Sequence, residues 1–330
     1  MLKTKSSDVT DKAETRAPKK PATCGKSKFP TDEEKNALSN VSSLPDDAVA
    51  LWDKIERLEL TREVAQLETL GYAVIPPEKV ASPQFIETLR EKLFDAVERR
   101  TGIRPNLAAD APPSAAFMEK DTSSSFANYT YLLMEDPIFQ QAALNEAVLT
   151  MIDLVLGKNA VLATCLSLMK GPGDCDLTLH ADNLMTPAPY SHIEHFCNVT
   201  WCLTDYSLDN GAICFVPGSH KYARPPLPGE GLESRVPIEA PAGSVIMWPG
   251  STWHGAFAKK TPGLRVNLIN QFIRPVFTGE PYRENVTPEI LAAHPPRFST
   301  LMGQDLNSGW KEEGPQNERI AYNRGRHVYD

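Results

Sequence analysis

Two histidines and one aspartate in the central part of the chain are of the types that bind metal ions. His180 and Asp182 are two residues apart, so on an extended strand both side chains point to the same face. With a distant histidine such as His254, they would form a 2-His-1-carboxylate triad, the ligand set of non-haem Fe(II) oxygenases. Three protein ligands are too few for a closed structural site, so the pattern predicts an open metal centre. Taken alone, such a pair is more often a structural ion pair, and a lone histidine more often a core residue.

Arg265 follows His254 by eleven residues and lies in an apolar segment. An unpaired buried charge would cost on the order of several kcal/mol, so a buried arginine requires an anion. The planar guanidinium can bind a carboxylate through two parallel hydrogen bonds. We therefore expect Arg265 to bind the carboxylate of a co-substrate. Asn267 shares the strand face of Arg265 and could donate to the same carboxylate, although a surface asparagine is equally compatible with the sequence.

The order of these residues resembles that of the phytanoyl-CoA dioxygenase family of Fe(II)/2-oxoglutarate-dependent oxygenases. The resemblance covers roughly residues 67–275. Besides His-x-Asp, a long gap, His-Gly and then Arg, it rests on four segments, which are GYAVIP (71–76), WCLTD (201–205), NGA (210–212) and PGSH (217–220). A lone His-x-Asp pattern is common, whereas the full ordered set is specific.

The resemblance implies an oxidative activity on a small-molecule metabolite. His180, Asp182 and His254 would bind Fe(II), and the iron would hold the 1-carboxylate and 2-keto oxygen of 2-oxoglutarate, with Arg265 at the 5-carboxylate. Dioxygen would take the last position, and the reaction would release succinate and CO2, with hydroxylation of the substrate as the expected outcome. Trp201 would line the 2-oxoglutarate pocket, although an ordinary core tryptophan is almost as compatible with the sequence.

Two other classes of function stay open at this point. A non-oxidative metallo-cupin, such as an isomerase or hydrolase, would need the triad but neither Arg265 nor 2-oxoglutarate. A catalytically silent binding module would keep the fold, yet it would have no physical need for all three ligands. A halogenating enzyme is disfavoured because it needs a vacant ligand position for halide, which Asp182 fills. The identity of the primary substrate does not follow from the residues, since one fold serves many substrates.

The composition of the 330-residue chain limits its partners and location. Its net charge of -8 argues against a general nucleic-acid or anionic-membrane surface. No apolar run approaches the length of a membrane span, and the N-terminal residues lack the core of a secretory signal. None of the six cysteines forms a Cys-x-x-Cys pair, so we expect reduced, buried thiols and a cytoplasmic protein.

The segments of the chain differ in pattern. Residues 1–43 are polar and charged, and we expect a disordered tail. Helical periodicity dominates residues 44–157, and short β-type runs separated by turn residues dominate residues 158–280. This order predicts a single α+β domain over residues 44–280. The resemblance implies a double-stranded β-helix core of the jelly-roll or cupin kind, buttressed by the N-terminal helices. Residues 281–330 are a C-terminal extension that would wrap the core or form a lid.

Capping residues and turns predict the elements of this domain. One helical run ends at Gly71, a second helix begins at Ser82-Pro83 and ends at Gly102, and a third begins at Asp136-Pro137. A further short helix is predicted near residues 288–293. The main strands are predicted at residues 72–75, 161–169, 197–203, 212–216, 244–248 and 265–273.

Several remaining polar residues have simpler interpretations. His192 and His195 lie in a polar loop and are expected to be exposed or to contact substrate, and His220 ends a turn motif that the family does not use for metal binding. Lys259 and Lys260 are expected in a solvated turn. The proline-rich loop over residues 186–194 follows the first two candidate ligands, so we expect it to influence substrate choice.

Overall fold

The computed structural model describes residues 46–113, 126–173, 176–183, 186–276, 285–304, 310–311 and 314–315. The predicted tail, residues 1–43, lies outside the described residues. Apart from the first residue of α1, the elements below belong to the compact unit Asp47–Asp330. The helices are α1 (Asp46–Arg57), α2 (Thr61–Leu70), α3 (Pro77–Val80), α4 (Pro83–Thr101), α5 (Pro137–Ala143), α6 (Glu146–Leu156), α7 (Pro288–Ala292) and α8 (Pro296–Leu301). The strands are β1 (Ala73–Ile75), β2 (Phe126–Tyr129), β3 (Val161–Lys170), β4 (Leu177–His180), β5 (Phe196–Cys202), β6 (Ile213–Phe215), β7 (Val236–Pro237), β8 (Val245–Pro249), β9 (His254–Ala256), β10 (Asn267–Ile273), β11 (Trp310–Lys311) and β12 (Gly314–Pro315).

Two antiparallel sheets form the core of the described β-structure, and β11 and β12 pair separately. The first sheet has six strands in the order β1-β8-β5-β10-β3-β2, and the second has four in the order β4-β9-β6-β7. Both edges of the first sheet, β1 and β2, come from the mainly helical first part of the domain, and β1 corresponds to the strand predicted at residues 72–75. Residues of both sheets line one cavity. The predicted α+β fold with a double-stranded β-helix core is confirmed.

Alternation along β5 separates the helix-facing side of the six-stranded sheet from its inner side. Cys197, Val199 and Trp201 belong to a hydrophobic cluster that also contains residues of α4 and α6. Asn198 and Thr200 point the other way and line the cavity between the sheets. The two-residue period of a strand therefore sends apolar side chains to the helices and polar side chains to the cavity.

Helix α4 has the boundaries that its capping residues predict. The Ser82 hydroxyl accepts a hydrogen bond from the Phe85 amide at 3.2 Å, and Pro83 occupies the first turn. Gly102 ends the helix in the left-handed conformation with φ of 74°. With 19 residues, α4 is the longest described helix. No described helix is both long enough and apolar enough to cross a bilayer.

Two predicted helices are each divided in two by a local turn. The first run is interrupted after α1, where Glu59 adopts a positive φ of 55° and Leu60, at the N-cap of α2, is fully buried. The third is interrupted at Asn145, whose side chain accepts a hydrogen bond from the Val148 amide at 3.2 Å. The same side chain donates to the Val80 carbonyl at 2.7 Å. A side chain that caps a new helix and also binds another segment favours a turn over a continuous helix.

The sequence does not predict β4 and β9, although both carry candidate metal ligands. Each has only three or four residues, and too few of them are apolar to produce a clear alternating pattern. Backbone pairing between the two strands defines them instead, with Leu177 opposite Ala256 and His180 opposite His254. Short strands of this kind are defined by their neighbours rather than by their own composition.

The described part of the C-terminal extension packs on the helical side of the core. The predicted helix near residue 288 is α7, and α8 follows it. Phe298 and Leu301 of α8 are buried in the main hydrophobic cluster. Arg297 donates to Asp153 of α6 at 2.9 Å. The described part of the extension therefore packs against the core, and whether the whole extension wraps the core or forms a lid stays a prediction.

The described cysteines are buried and form no disulfide bonds, as expected. They are Cys165, Cys197, Cys202 and Cys214. Burial raises the pKa of Cys197 and Cys202 well above its usual range, and raises that of Cys214 to about 11. These thiols therefore stay protonated and pack as small hydrophobic groups.

We predict that Gly71 and Gly102, which both end helices in the left-handed conformation, respond differently to substitution by alanine. Gly102→Ala should lower the free energy of unfolding by about 1 kcal/mol, the conformational cost of a left-handed alanine. Gly71→Ala should cost about 1–3 kcal/mol more, because a methyl group there would overlap the ring of His220, whereas nothing lies within 4 Å at Gly102. Urea denaturation of both variants checks this, and equal losses would contradict the packing argument.

Candidate metal centre

Three side chains from two paired strands and the following loop converge on one point. His180 ends β4, His254 begins β9 directly opposite it, and Asp182 follows His180 by two residues. One ligand atom from each residue lies within 4.8 Å of the others. Nε2 of His180 is 3.6 Å from Oδ1 of Asp182, and Nε2 of His254 is 3.4 Å from Oδ2. Two imidazole nitrogens and one carboxylate thus surround a common centre.

Backbone carbonyls orient both imidazoles. Nδ1 of His180 lies 2.8 Å from the Thr178 carbonyl, and Nδ1 of His254 lies 3.0 Å from the Thr252 carbonyl. Because a carbonyl only accepts, each Nδ1 carries the proton and each Nε2 presents a lone pair to the centre. Burial lowers the pKa of His254, and the nearby Asp182 only partly opposes this. His254 is therefore held in the neutral form that binds metals.

Asp182 is held through both its backbone and its carboxylate. Its amide donates to the Gly250 carbonyl at 2.8 Å. Its carboxylate accepts a hydrogen bond from Nδ2 of Asn198, and Oδ1 of Asn198 accepts from Nε2 of Gln271 at 3.1 Å. The sequence alone does not predict a role for Asn198 or Gln271. The available signal is that each is a polar residue at a strand position that faces the cavity.

The centre lies in a cavity of about 260 Å³ between the two sheets. Its wall contains the three candidate ligands and Arg265, together with neutral polar and apolar side chains. The lining residues are Asn128, Thr164, Leu166, Leu168, Leu177, His180, Asp182, Asn198, Thr200, Tyr206, Ile213, Trp248, His254, Gly255, Ala256, Arg265, Asn267, Ile269 and Gln271.

Arg265 is a buried cation in this cavity without a carboxylate partner among the described residues. Its side chain is 4% exposed. Nη1 donates to the Gly211 carbonyl at 2.7 Å, and the guanidinium lies over the Tyr206 ring at 4.9 Å. Nε is buried and has no hydrogen-bond acceptor among the residues that the structure describes. A buried guanidinium with an unused donor is a binding site for an anion.

Asn267 lies in the cavity with Arg265, but its amide group is already engaged by neighbours. Nδ2 donates to the Tyr206 hydroxyl at 3.0 Å, and Oδ1 accepts from the Leu168 amide at 2.8 Å. Burial raises the pKa of Tyr206 to about 12, so its hydroxyl keeps its proton. Asn267 therefore holds Tyr206 beside Arg265, and a direct contact with a carboxylate stays a prediction.

The structure does not place Trp201 in the cavity. Trp201 is fully buried on the helix-facing side of β5, with its ring centroid 5.9 Å from that of Phe85. The tryptophan that lines the cavity is Trp248 of β8, whose ring lies 5.0 Å from that of His254. The expectation for Trp201 is thus corrected, because strand alternation gives the two tryptophans opposite directions.

Lys259 is not in a solvated turn, which corrects another expectation. Its side chain is 1% exposed, and Nζ donates to the Thr261 carbonyl and hydroxyl at 2.7 Å and to the Pro262 carbonyl at 3.3 Å. Burial lowers its pKa. Lys260 does face solvent, and its ammonium lies 3.5 Å from Asp209.

Three other histidines of the described part lie away from the centre. His192 is exposed and His195 partly buried, and neither lines the cavity. Nε2 of His220 lies 3.3 Å from the Glu68 carbonyl. Only His180 and His254 therefore offer imidazole ligands to this site within the described part of the chain.

The loop after the first two ligands supports the core instead of lining the cavity. Tyr190 is buried in a cluster with Leu179 and Trp253, and its amide donates to the Ala223 carbonyl at 2.6 Å. None of the described residues 186–194 lines the cavity. Tyr190 thus packs against the strands that carry the candidate ligands, and an influence of this loop on substrate choice stays a prediction.

The side chains present fit the groups that the resemblance implies. Two neutral imidazoles and one carboxylate are the ligand types of an open Fe(II) site. The same cavity holds a buried guanidinium with a free donor, which fits one end of a dicarboxylate such as 2-oxoglutarate. An open three-ligand site inside a double-stranded β-helix defines a mononuclear metal enzyme of the cupin kind.

Comparison with known proteins identifies the family. Residues 67–267 match the sequence profile described as phytanoyl-CoA dioxygenase (PhyH). The chain belongs to this family, so the predicted family is confirmed.

Individual relatives are more distant. The dioxygenase af480 of Aspergillus fumigatus is 27% identical over 207 residues, and the match spans 61% of this chain and 63% of the relative. An uncharacterised protein, Rv1501 of Mycobacterium tuberculosis, is 24% identical over 243 residues, spanning 72% of this chain and 84% of that protein. HygX from Streptomyces hygroscopicus, crystallised with nickel and 2-oxoglutarate, has a similar fold, with a TM-score of 0.51 and 20% identity over 66% of this chain and 88% of HygX.

We predict that His254→Ala weakens Fe(II) binding by more than about 100-fold, since loss of even an outer partner of a ligand costs about 10–100-fold. Anaerobic titration calorimetry measures this. His192→Ala is the matched control, because it removes an exposed imidazole outside the cavity, and its affinity should equal that of the wild type. Weakened Fe(II) binding by His192→Ala, or Fe(II) binding by His254→Ala as tight as that of the wild type, would contradict the assignment of His254 as a ligand.

Proposed function

We propose that this protein is an Fe(II)- and 2-oxoglutarate-dependent dioxygenase that oxidises a small-molecule metabolite, with hydroxylation as the expected outcome. The observation that carries the proposal is a single cavity containing both an open triad and an unpaired buried guanidinium. Membership of the phytanoyl-CoA dioxygenase family supports it. Succinate and CO2 would be the co-products.

Each residue has a distinct task in this proposal. His180, Asp182 and His254 would hold Fe(II), and Arg265 would bind the far carboxylate of 2-oxoglutarate through its free donor. Tyr206 lies against the guanidinium, and its protonated hydroxyl can donate to the same anion. When bound, iron and 2-oxoglutarate supply the oxidative chemistry, whereas the protein supplies binding and orientation. The apolar side chains of the cavity, such as Leu168 and Ile269, would limit the access of water.

Arg265 also argues against a non-oxidative metallo-cupin. An isomerase or hydrolase would have no use for a buried cation at the wall of its metal cavity, and an unpaired one would be costly. A silent binding module is disfavoured by the orientation of both imidazoles, because two carbonyls direct two lone pairs at the same point. Phytanoyl-CoA itself does not follow from family membership, since one fold serves many substrates.

The proposed activity can be tested without knowing the substrate. Protein loaded with Fe(II) and supplied with 2-oxoglutarate and dioxygen should release succinate slowly, and metabolites that are substrates should accelerate it. We predict that Asp182→Ala reduces succinate release to the background of free iron, as measured by mass spectrometry. An Asp182→Ala protein that turns over 2-oxoglutarate at the wild-type rate would contradict the triad.

We further predict that Arg265→Lys raises the Michaelis constant for 2-oxoglutarate by about tenfold or more, because lysine keeps the charge but loses the planar pair of donors. Iron affinity should change less, since Arg265 is not a ligand. Arg224→Lys is the control, because it makes the same change at an arginine paired with Glu230 outside the cavity. An unchanged Michaelis constant for Arg265→Lys would show that another residue binds the carboxylate.

A further inference from the structure

The charged side chains of the cavity already have tasks in the proposed function. Asp182 and the two histidines would bind iron, and Arg265 would bind the co-substrate. The other polar side chains of the wall are neutral amides, hydroxyls and an indole. Within the described part of the chain, the cavity therefore offers the primary substrate no ionic partner.

Chemistry fixes the direction of the hydrogen bonds that lead from Asp182 into the cavity. The carboxylate of Asp182 can only accept, so Asn198 must present Nδ2 to it and turn Oδ1 the other way. Oδ1 of Asn198 can also only accept, so Gln271 must present Nε2 to it, at 3.1 Å. In this series of hydrogen bonds, Oε1 of Gln271 is the end farthest from Asp182.

Oε1 of Gln271 is an acceptor in the wall of the cavity. Gln271 is partly buried and lines the cavity, and no described residue donates to its Oε1. Next to it, the pairing of β10 with β3 shifts register between Gln271 and Phe272. Such bulges redirect side chains and are frequent beside active sites. The register shift and the acceptor without a described donor therefore occur at the same residue, Gln271.

We propose that Oε1 of Gln271 binds the primary substrate by accepting a hydrogen bond from an uncharged hydroxyl or amide N–H group. The proposal rests on the proposed function, since it assigns the rest of the cavity to iron and 2-oxoglutarate. A carboxylate or phosphate at this position would face an acceptor and would be repelled. An ammonium group would find a single neutral oxygen and no counter-charge.

The surroundings of Gln271 define the rest of the substrate. Leu166, Leu168 and Ile269 line the same cavity, and they offer an apolar surface to the body of the molecule. The substrate class is therefore a neutral, largely apolar molecule with a hydroxyl or amide group close to the carbon that is oxidised. Asn198 links this contact to Asp182, so the substrate and the metal ligand share one chain of hydrogen bonds.

Four probes of one ring skeleton test the proposal. They are cyclohexanol, methoxycyclohexane, cyclohexylammonium and cyclohexanecarboxylate, which present a neutral donor, no donor, a cation and an anion. The protein is loaded with Co(II) and 2-oxoglutarate, and binding is followed by NMR of the probes, because paramagnetic Co(II) broadens only protons that bind close to it. We expect cyclohexanol to bind about fivefold more tightly than its methyl ether, the effect of one ordinary hydrogen bond, and more tightly than both ions.

Two substitutions of Gln271 and one control variant assign this preference. In Gln271→Leu, cyclohexanol and its methyl ether should bind equally. The control Gln84→Leu makes the same change at an exposed glutamine outside the cavity and should keep the fivefold difference. In Gln271→Glu the preference should move to cyclohexylammonium. Melting temperatures verify that each variant is folded.

The outcomes separate this inference from the proposed function. Failure of Co(II) or 2-oxoglutarate to bind before any probe is added would overturn the proposed function. If both bind, two results would overturn the role of Gln271 alone. These are an ion binding at least as tightly as cyclohexanol to the wild type, and an advantage of cyclohexanol that persists in Gln271→Leu.

Discussion

The metal centre depends on the backbone pairing of two short strands, β4 and β9, in which His180 lies opposite His254. Because successive side chains alternate, a shift by one residue would turn an imidazole to the other face. Strands of three and four residues do not define their own register. It is held by the turn before β9, where the Gly250 carbonyl accepts the amide of Asp182 and the Thr252 carbonyl orients His254. The geometry of the ligands is therefore set by peptide groups that never contact the metal.

The six-stranded sheet serves two environments at once. Its outer side packs on α4 and α6 with apolar residues, and its inner side carries amides and hydroxyls into the cavity. Some of these inner groups have no partner in the described part of the chain, such as the Thr200 hydroxyl and the Trp248 indole N–H. Buried polar groups of this kind cost free energy unless a ligand satisfies them. The sheet thus supplies stability on one side, and its inner side has unused hydrogen-bonding capacity that small molecules can satisfy.

The sequence predicts features that depend on residue type and short spacing. It does not predict which face of a strand points to the cavity, or which distant residues come into contact. The ends of helix α4 are predicted from a serine cap, a proline and a terminal glycine, because each of these residues acts on the backbone only a few positions away. The triad follows from ligand chemistry together with the order seen in the family. Trp201 and Trp248 are chemically identical, and only the parity of their strands relative to the cavity separates them. Asn198 and Gln271 are 73 residues apart, so nothing local indicates that their amides form one chain with Asp182.

The buried thiols have a consequence for the durability of the protein. Only the thiolate form of cysteine reacts readily with oxidants, and oxidation beyond the sulfenic acid is difficult to reverse. Cys202 is fully buried on β5, the strand that carries Asn198, and Cys214 of β6 has a pKa of about 11. At neutral pH these sulfur atoms are almost entirely protonated and sequestered from solvent. In a protein that is proposed to use dioxygen, burial thereby keeps the most oxidisable atoms in their least reactive form.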